Sequence, residues 1–294
     1  MSGRLVLRAG ALEAQLLPQA GGSVARFDRI VGADRQPLLR GTDAEDAGPL
    51  DCGCFPLVPY CNRIRGGAFS CDGRQVTLAP NMLPDPSPLH GQGWLARWEV
   101  CSSSDAEAEL SFVHPAGEWP WSYEARQHFV LDADSLSITL ACRNLSERPM
   151  PCGLGFHPYY VCDERTRLDT GVECAWTVDA DVLPVERVPA TGRYDLRERP
   201  ICGQGLDNGF GGWSGWARID WPGNAASLRL RAEDASYFQV YSPESGGLFA
   251  AEPVQHANAA LNAPQDEWAG LGIRLLGEGE QRDLRVRFEV IAED

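Results

Sequence analysis

Apolar and polar residues alternate along much of the chain, with the period expected of β-strands that bury one face. The first such segments are Leu5 to Leu7 and Leu12 to Leu16, and the Gly21-Gly22 turn that follows them completes the pattern of a hairpin. The same period returns at four later places: Leu110 with Phe112, Leu136 to Cys142, Leu228 with Leu230, and Leu284 to Val290. No apolar stripe at helical spacing persists beyond about two turns, so we expect little helix.

Strands with one apolar face pack as antiparallel sheets in a sandwich or barrel. With this many strands, we expect an all-β fold of two large stacked sheets. No repeat, low-complexity tract or linker divides the sequence, so we expect residues 1–294 to form a single domain. Residues 41–63 and 79–94 are rich in Pro, Gly and Asp and show little alternation, which predicts long loops. Loops of that length in a compact domain are more often functional than idle.

Composition narrows the possible partners. The chain has 294 residues, a formal net charge of −15 and a pI near 4.8, and all 26 of its basic residues are arginine. An acidic surface without a basic run disfavours nucleic acid or an anionic membrane as a partner. No apolar run approaches the length of a membrane span, and the N-terminus has no signal-peptide core. We therefore expect a soluble cytoplasmic protein.

Ten cysteines raise the question of disulfides or zinc. The closest spacing is Cys52-Gly53-Cys54, and no Cys/His series has zinc-site spacing. Several, such as Cys142 and Cys101, occupy apolar or strand-end positions, as small core residues do. We expect free, mostly buried thiols.

The hexapeptide Gly155-Phe156-His157-Pro158-Tyr159-Tyr160 places a histidine between an aromatic residue and a proline. Proline cannot donate to a sheet ladder, so we expect the strand to end or become an edge at Pro158, with His157 at its end. An imidazole with a pKa of about 6.5 can exchange protons near neutral pH. The alternative is a half-buried histidine that a backbone carbonyl satisfies.

The two predicted loops hold further candidates for ligand binding. Asn62 and Arg63 offer several donors and one acceptor, which suits the vicinal hydroxyls of a sugar. His90 precedes Gly91, where a backbone can approach a ligand closely. A loop asparagine, a surface arginine and a turn histidine without a role are the alternatives.

Three more polar residues interrupt apolar surroundings near the C-terminal half. Asp207 lies at a predicted turn, Gln239 lies in an aromatic strand, and Glu252 follows an apolar run and precedes a proline. An Asx turn explains Asp207 equally well, and an arginine partner explains Glu252. We leave out of the site three nearby tryptophans, since large aromatic residues mostly fill cores: Trp213, Trp216 and Trp221.

Together these motifs resemble the aldose 1-epimerases, or galactose mutarotases, from about residue 10 to 290. The motifs that carry the resemblance are Asn62-Arg63-Ile64, Leu89-His90-Gly91, Phe156-His157-Pro158-Tyr159, Asp207 with Phe210, Gln239 with Tyr241, and Glu252-Pro253 followed by Asn262. The resemblance implies a single β-supersandwich that acts on free aldohexoses such as glucose and galactose, without metal or cofactor.

By the same resemblance, Glu252 is the general base on the anomeric hydroxyl and His157 the general acid on the ring oxygen. The residues that would hold the sugar hydroxyls are Asn62, Arg63, His90, Asp207 and Gln239. We expect an ionised carboxylate that keeps the neighbouring imidazolium charged. The other three histidines match no motif and are predicted to lie at the surface or behind the site: His114, His128 and His256.

Two departures from the family pattern affect the hydroxyl contacts. Gln92 follows His90-Gly91 where a second glycine is common, and Asn208-Gly209 precedes Phe210 where a histidine is common. Three other functions remain open: a carbohydrate-binding protein without turnover, a glycoside hydrolase or lyase with Asp207 as second carboxylate, and an epimerase of a phosphorylated or modified sugar. The oligomeric state is not predicted.

Overall fold

The computed structural model describes residues 3–224 and 226–292. In this part of the chain, short turns and 3₁₀ segments connect a long series of strands. In chain order, the strands are β1 Leu5–Ala9, β2 Leu12–Leu17, β3 Ser23–Val31, β4 Asp34–Leu39, β5 Cys54–Leu57, β6 Ala68–Cys71, β7 Arg74–Thr77, β8 Glu99–Ser103, β9 Glu107–His114, β10 Tyr123–Leu131, β11 Ser135–Asn144, β12 Met150–Cys152, β13 Gly155–Val161, β14 Arg167–Thr170, β15 Cys174–Val178, β16 Pro184–Pro189, β17 Arg199–Pro200, β18 Leu206–Gly211, β19 Trp216–Asp220, β20 Ala226–Arg231, β21 Tyr237–Ser242, β22 Leu248–Val254, β23 Arg274–Leu276 and β24 Gln281–Ala292. The 3₁₀ segments are Pro49–Asp51, Arg65–Gly67, Gly93–Leu95, Gly192–Tyr194, Ala260–Asn262 and Gln265–Glu267.

Two large antiparallel sheets form the body of the protein. The first has eleven strands in the order β1-β2-β3-β5-β13-β22-β21-β18-β15-β16, with β4 paired to β3. The second has nine strands in the order β17-β14-β19-β20-β24-β11-β10-β9-β8. Two further sheets have two antiparallel strands each, β12 with β23 and β6 with β7. The predicted all-β fold of two large sheets with little helix is confirmed.

The core lies between the two large sheets, where the inward-facing side chains of their strands meet. On β24, Leu284, Val286 and Phe288 are fully buried, whereas Arg285 and Arg287 between them point outward. The buried cluster that contains these residues also contains apolar residues of the eleven-stranded sheet. The period of two seen in the sequence therefore identifies the face of each strand that packs against the other sheet.

Two strands lie where the sequence predicted something else. The predicted loop 41–63 contains β5, whose four residues are all buried and so show no alternation. The predicted turn at Asp207 is the second residue of β18. The hairpin of β1 and β2 is confirmed, and residues 79–92 contain no strand.

The prediction that the strand ends or becomes an edge at Pro158 is wrong. β13 continues to Val161 and lies inside the eleven-stranded sheet, between β5 and β22. Its pairing with β22 is interrupted after Gly155 and resumes at Tyr159. The interruption contains Pro158 on β13 and Pro253 on β22, and neither residue has an N–H to donate. The sheet thus keeps its strands but loses ladder bonds locally, beside His157.

All ten cysteines are free thiols. Seven of them are buried, as expected, but Cys101 is exposed on β8 and is not the small core residue that its position suggested. Within the described residues, no helix is long and apolar enough to cross a membrane. His128 is exposed on β10, as predicted, and His114 is half-buried at the end of β9.

Candidate active site

One row of residues crosses five neighbouring strands of the eleven-stranded sheet. His157 on β13 lies opposite Phe55 on β5, and the register of β13 with β22 places Glu252 opposite His157. Gln239 on β21 lies opposite Glu252, and Gly209 on β18 lies opposite Gln239. Residues directly opposite one another in a sheet project from the same face. The row therefore brings a histidine, a carboxylate and an amide from distant parts of the sequence to one place.

His157 and Glu252 form the closest pair in the row. Nε2 of His157 lies 3.2 Å from Oε1 of Glu252, and the two residues are 8% and 2% exposed. Nδ1 of His157 and Oε2 of Glu252 are buried and have no hydrogen-bond partner among the described residues. Buried polar atoms usually have a partner, so these two atoms indicate a place where a ligand completes the contacts.

Burial changes the protonation that we expected of this pair. It raises the pKa of Glu252 well above its ordinary value, an effect that Asp207 reinforces and Arg63 opposes. Burial also lowers the pKa of His157 to about 3. The expectation of an ionised carboxylate beside a charged imidazolium is therefore wrong for the pair as it stands. A neutral carboxyl beside a neutral imidazole is favoured because burial penalises both charges.

Aromatic rings hold the imidazole of His157 in place. Phe55 stacks on it with ring centroids 4.6 Å apart, and Tyr159 lies 4.5 Å away at a tilt. The guanidinium of Arg40 in turn lies 4.1 Å from the centroid of the Tyr159 ring. Phe55 and Arg40 were not among the predicted site residues. Nothing in their local sequence marks them. Phe55 lay in a predicted loop, and only the pairing of β5 with β13 places its ring against His157.

His90 is fixed by Asn62 from the other predicted loop. The backbone N–H of Asn62 donates to Nδ1 of His90 at 3.1 Å, and the backbone N–H of His90 donates to the carbonyl of Asn62 at 3.0 Å. Burial lowers the pKa of His90 well below its ordinary value, so the ring is neutral. Because Nδ1 accepts, the proton lies on Nε2, and His90 presents a donor. Its ring stands edge-on to that of His157, with centroids 5.5 Å apart.

Asp207 and Gln239 form a second polar pair next to Glu252. Nε2 of Gln239 donates to Oδ1 of Asp207 at 2.9 Å. Burial raises the pKa of Asp207, while Arg63 and the bond from Gln239 oppose that rise. The bond fixes the Gln239 amide, whose oxygen is thus available as an acceptor, and orients the carboxyl beside it.

Arg63 is held by a residue that the sequence did not single out. Its Nε lies 2.9 Å from Oδ2 of Asp85, and the two side chains are 11% and 12% exposed. Among the described residues, its terminal nitrogens make no hydrogen bond to protein, so they remain available as donors. The charge of Arg63 lowers the pKa values of His90, Asp207 and Glu252, which places it close to all three. Asp85 could have been suspected only from its position in the long loop 79–94.

The structure thus brings six predicted residues into one connected group: His157, Glu252, His90, Asp207, Gln239 and Arg63. Asn62 joins them through its backbone bonds to His90. No three histidine, cysteine or carboxylate side chains among the described residues are arranged to hold a metal ion. A proton donor and a proton acceptor in contact, ringed by hydrogen-bonding groups and aromatic rings, can move protons within a polyhydroxy ligand.

The chain matches one family model and is similar to several known proteins. The family model described as Aldose 1-epimerase matches residues 4–289. The uncharacterized protein YphB of Escherichia coli K12 is 32% identical over 291 residues, which cover 95% of this chain and 97% of that protein. A solved putative aldose 1-epimerase from Escherichia coli K12 has a TM-score of 0.88 at 28% identity, with 99% of each chain covered. A galactose mutarotase-like protein from Clostridium acetobutylicum has a TM-score of 0.86 at 18% identity, with 99% of this chain and 95% of that chain covered.

Proposed function

Because the chain belongs to the aldose 1-epimerase family, we propose that it is a mutarotase that interconverts the α and β anomers of free aldohexoses. The observation that carries the proposal is the contact between His157 Nε2 and Glu252 Oε1 at 3.2 Å. Mutarotation needs one proton removed from the anomeric hydroxyl and one delivered to the ring oxygen. Those two sugar oxygens are bonded to the same carbon, so an acid and a base that touch each other can reach both.

In the proposed reaction, the Glu252 carboxylate takes the proton of the C1 hydroxyl while the His157 imidazolium donates to the ring oxygen. The bond between C1 and the ring oxygen breaks, and C1 becomes an aldehyde. Rotation about C1–C2 presents the other face, and the reverse transfers close the ring as the other anomer. In each step the pair takes one proton from the sugar and gives one back, so no external acid, base or covalent intermediate is needed.

Burial of the pair favours the opening step. Opening turns a carboxylate and an imidazolium into a neutral carboxyl and a neutral imidazole, the state that burial favours. In this proposal, Arg63 and the sugar hydroxyls stabilise the carboxylate of the reactive form. Asn62, Arg63, His90, Asp207 and Gln239 hold the hydroxyls, and His90 donates its Nε2 proton close to the ring oxygen.

Polarimetry tests the proposal directly. Freshly dissolved α-D-glucose and α-D-galactose should reach their anomeric equilibrium faster with the protein than in buffer. Glu252→Gln should abolish the acceleration while still binding sugar, whereas Glu278→Gln, which changes an exposed carboxylate in a turn, should leave it unchanged.

Three results would contradict the proposal. No acceleration over buffer across a panel of free aldoses would reject it, and sugar binding without acceleration would favour a carbohydrate-binding protein. Acceleration restricted to a phosphorylated or otherwise modified aldose would change the substrate class. Full activity of Glu252→Gln would reject the assigned base.

A further inference from the structure

Three successive backbone amides in the segment that carries the proposed sugar-binding residues each donate to a side chain. The bonds are from Cys61 to Nε2 of His256 at 2.8 Å, from Asn62 to Nδ1 of His90 at 3.1 Å, and from Arg63 to Oδ1 of Asn258 at 3.0 Å. Amides in a row usually pair with backbone carbonyls of a helix or sheet. Here they pair with side chains, so side-chain chemistry sets the course of the backbone.

His256 is a buried histidine that the proposed reaction does not use. It is 2% exposed, and its Nδ1 lies 2.8 Å from the carbonyl of Ala257. A carbonyl only accepts, so Nδ1 carries the proton and Nε2 is the acceptor for the amide of Cys61. The ring fills space beside Gly153, where an added Cβ would lie 2.3 Å from Cδ2 of His256. Its position and tautomer are therefore fixed on both sides.

The residues that follow His256 also hold the peptide groups on either side of Arg63. Asn258 accepts from the N–H of Arg63, and its own amide donates to the carbonyl of Val182 at 3.0 Å. The backbone N–H of Ala259 donates to the carbonyl of Arg63 at 3.2 Å. Neither Asn258 nor Ala259 lies in a strand, and both follow β22 closely in sequence.

The connection matters because β22 carries Glu252. His256 follows Glu252 by four positions, just beyond the end of the strand. It therefore links the strand of the proposed base to the segment of Asn62 and Arg63, which is almost two hundred residues away in sequence. Asn62 itself has a left-handed φ of 55°, a conformation that is uncommon for residues other than glycine.

From these contacts we infer that His256 is a positioning residue, which holds the Asn62–Arg63 backbone at a fixed distance from Glu252 by accepting the N–H of Cys61. The inference rests on the proposed function and adds a role to a residue that touches no substrate. It separates two parts of the site: the hydrogen bonds of His256 reach Cys61 and Ala257, next to the groups that bind hydroxyls, and not His157 or Glu252. A histidine that merely fills the core would show no such separation.

The experiment compares His256→Leu with His256→Gln in steady-state mutarotation of whichever of α-D-glucose and α-D-galactose the wild type accelerates. Leucine removes the acceptor and leaves the Cys61 amide unpaired, so KM should rise about tenfold, which corresponds to one misplaced hydrogen-bonding group. The kcat should stay within about twofold, because the acid and base keep their contact. Glutamine can place its amide oxygen near the position of Nε2, so His256→Gln should restore most of the wild-type KM.

A matched control and a second variant keep the result interpretable. His128→Leu changes an exposed histidine on β10 and should alter neither constant. If His256→Leu does not fold, His256→Asn replaces it: asparagine is too short to reach the Cys61 amide, and KM should again rise about tenfold.

The outcomes distinguish this inference from the proposed function. A wild type that accelerates no mutarotation rejects the function itself. An active wild type with a His256→Leu variant that loses kcat instead of gaining KM, or that matches the wild type, overturns the positioning role. So does a His256→Gln variant that is as impaired in KM as His256→Leu while it unfolds at the wild-type temperature.

Discussion

His157 on β13 and Glu252 on β22 face each other across neighbouring strands, with Nε2 and Oε1 3.2 Å apart where the ladder between the strands is interrupted. Prolines follow both residues directly in sequence. A strand proline removes a ladder bond without removing the strand, so the backbone around the pair stays fixed while it gives up inter-strand bonds. The pair is therefore held by rigid elements and not by loops, which suits groups that must keep a set distance.

We expect His157 and Glu252 to act as one unit. His157→Asn and Glu252→Gln should each reduce kcat for mutarotation about 10²–10⁴-fold, the usual contribution of a positioned acid or base. The double variant should be hardly slower than either single variant, because a unit that has lost one member has little left to lose. Polarimetry on the three variants measures this. Losses that multiply in the double variant would mean that the two groups act independently.

The stability of Glu252→Gln should depend on pH differently from that of the wild type. Burial raises the pKa of Glu252 above its ordinary value of 4.5, so the folded wild type holds a proton that the unfolded chain releases as the pH rises. The wild type therefore loses stability from pH 4.5 upward until the folded pKa is reached, by at most about 1.4 kcal/mol per pH unit. Glutamine does not titrate, so the Glu252→Gln variant does not lose stability in this way.

The prediction is read from urea unfolding at a series of pH values from 4 to 7. At pH 4, the free energy of unfolding of Glu252→Gln should be close to that of the wild type. Toward pH 7, the variant should become progressively more stable relative to the wild type. Parallel pH profiles would mean that the folded pKa of Glu252 is not raised. Glu278→Gln provides the control, since its carboxylate is exposed in both states.

Asp85 should matter for binding through Arg63. The contact between Arg63 Nε and Asp85 Oδ2 orients the guanidinium so that its terminal nitrogens stay free. Asp85→Ala should raise KM about tenfold, because a charge-assisted bond that holds the guanidinium is lost, with little change in kcat. Asp46→Ala, in an exposed loop, is the matched control. A kcat loss as large as the KM change would place Asp85 in the chemistry instead.

Sequence patterns identified the parts of the fold that bury one face and expose the other. The alternation from Leu284 to Val290 predicted a core strand, and β24 contains it. β5 escaped detection because all four of its residues are buried, and a continuous apolar run with a proline has no period to recognise. β18 was read as a turn because Asp207-Asn208-Gly209 has turn chemistry, which tertiary pairing with β21 overrides.

The site residues also fall into two groups, those that their local sequence marks and those that it does not. Residues that are unusual in their local sequence, such as His157 before a proline and Glu252 after an apolar run, could be singled out from the sequence. Asp85 and His256 could not, because their importance comes from partners that are distant in the chain: Arg63 and Cys61. The protonation of the pair could not be predicted either, since reference pKa values do not include the cost of burial.

Gly209 provides the last prediction, because it stands in the cross-strand row opposite Gln239 without a side chain. An added Cβ would lie 3.2 Å from Oε1 of Gln239, closer than ordinary van der Waals contact, and the next atom it meets is 3.9 Å away. Gly209→Ala should therefore fold but displace the amide that donates to Asp207, and KM should rise about fivefold, a loss of about 1 kcal/mol of binding. Gly117→Ala is the control, since its Cβ meets nothing closer than 4.0 Å. Equal KM values for both variants would mean that the Gln239 amide does not contact the sugar.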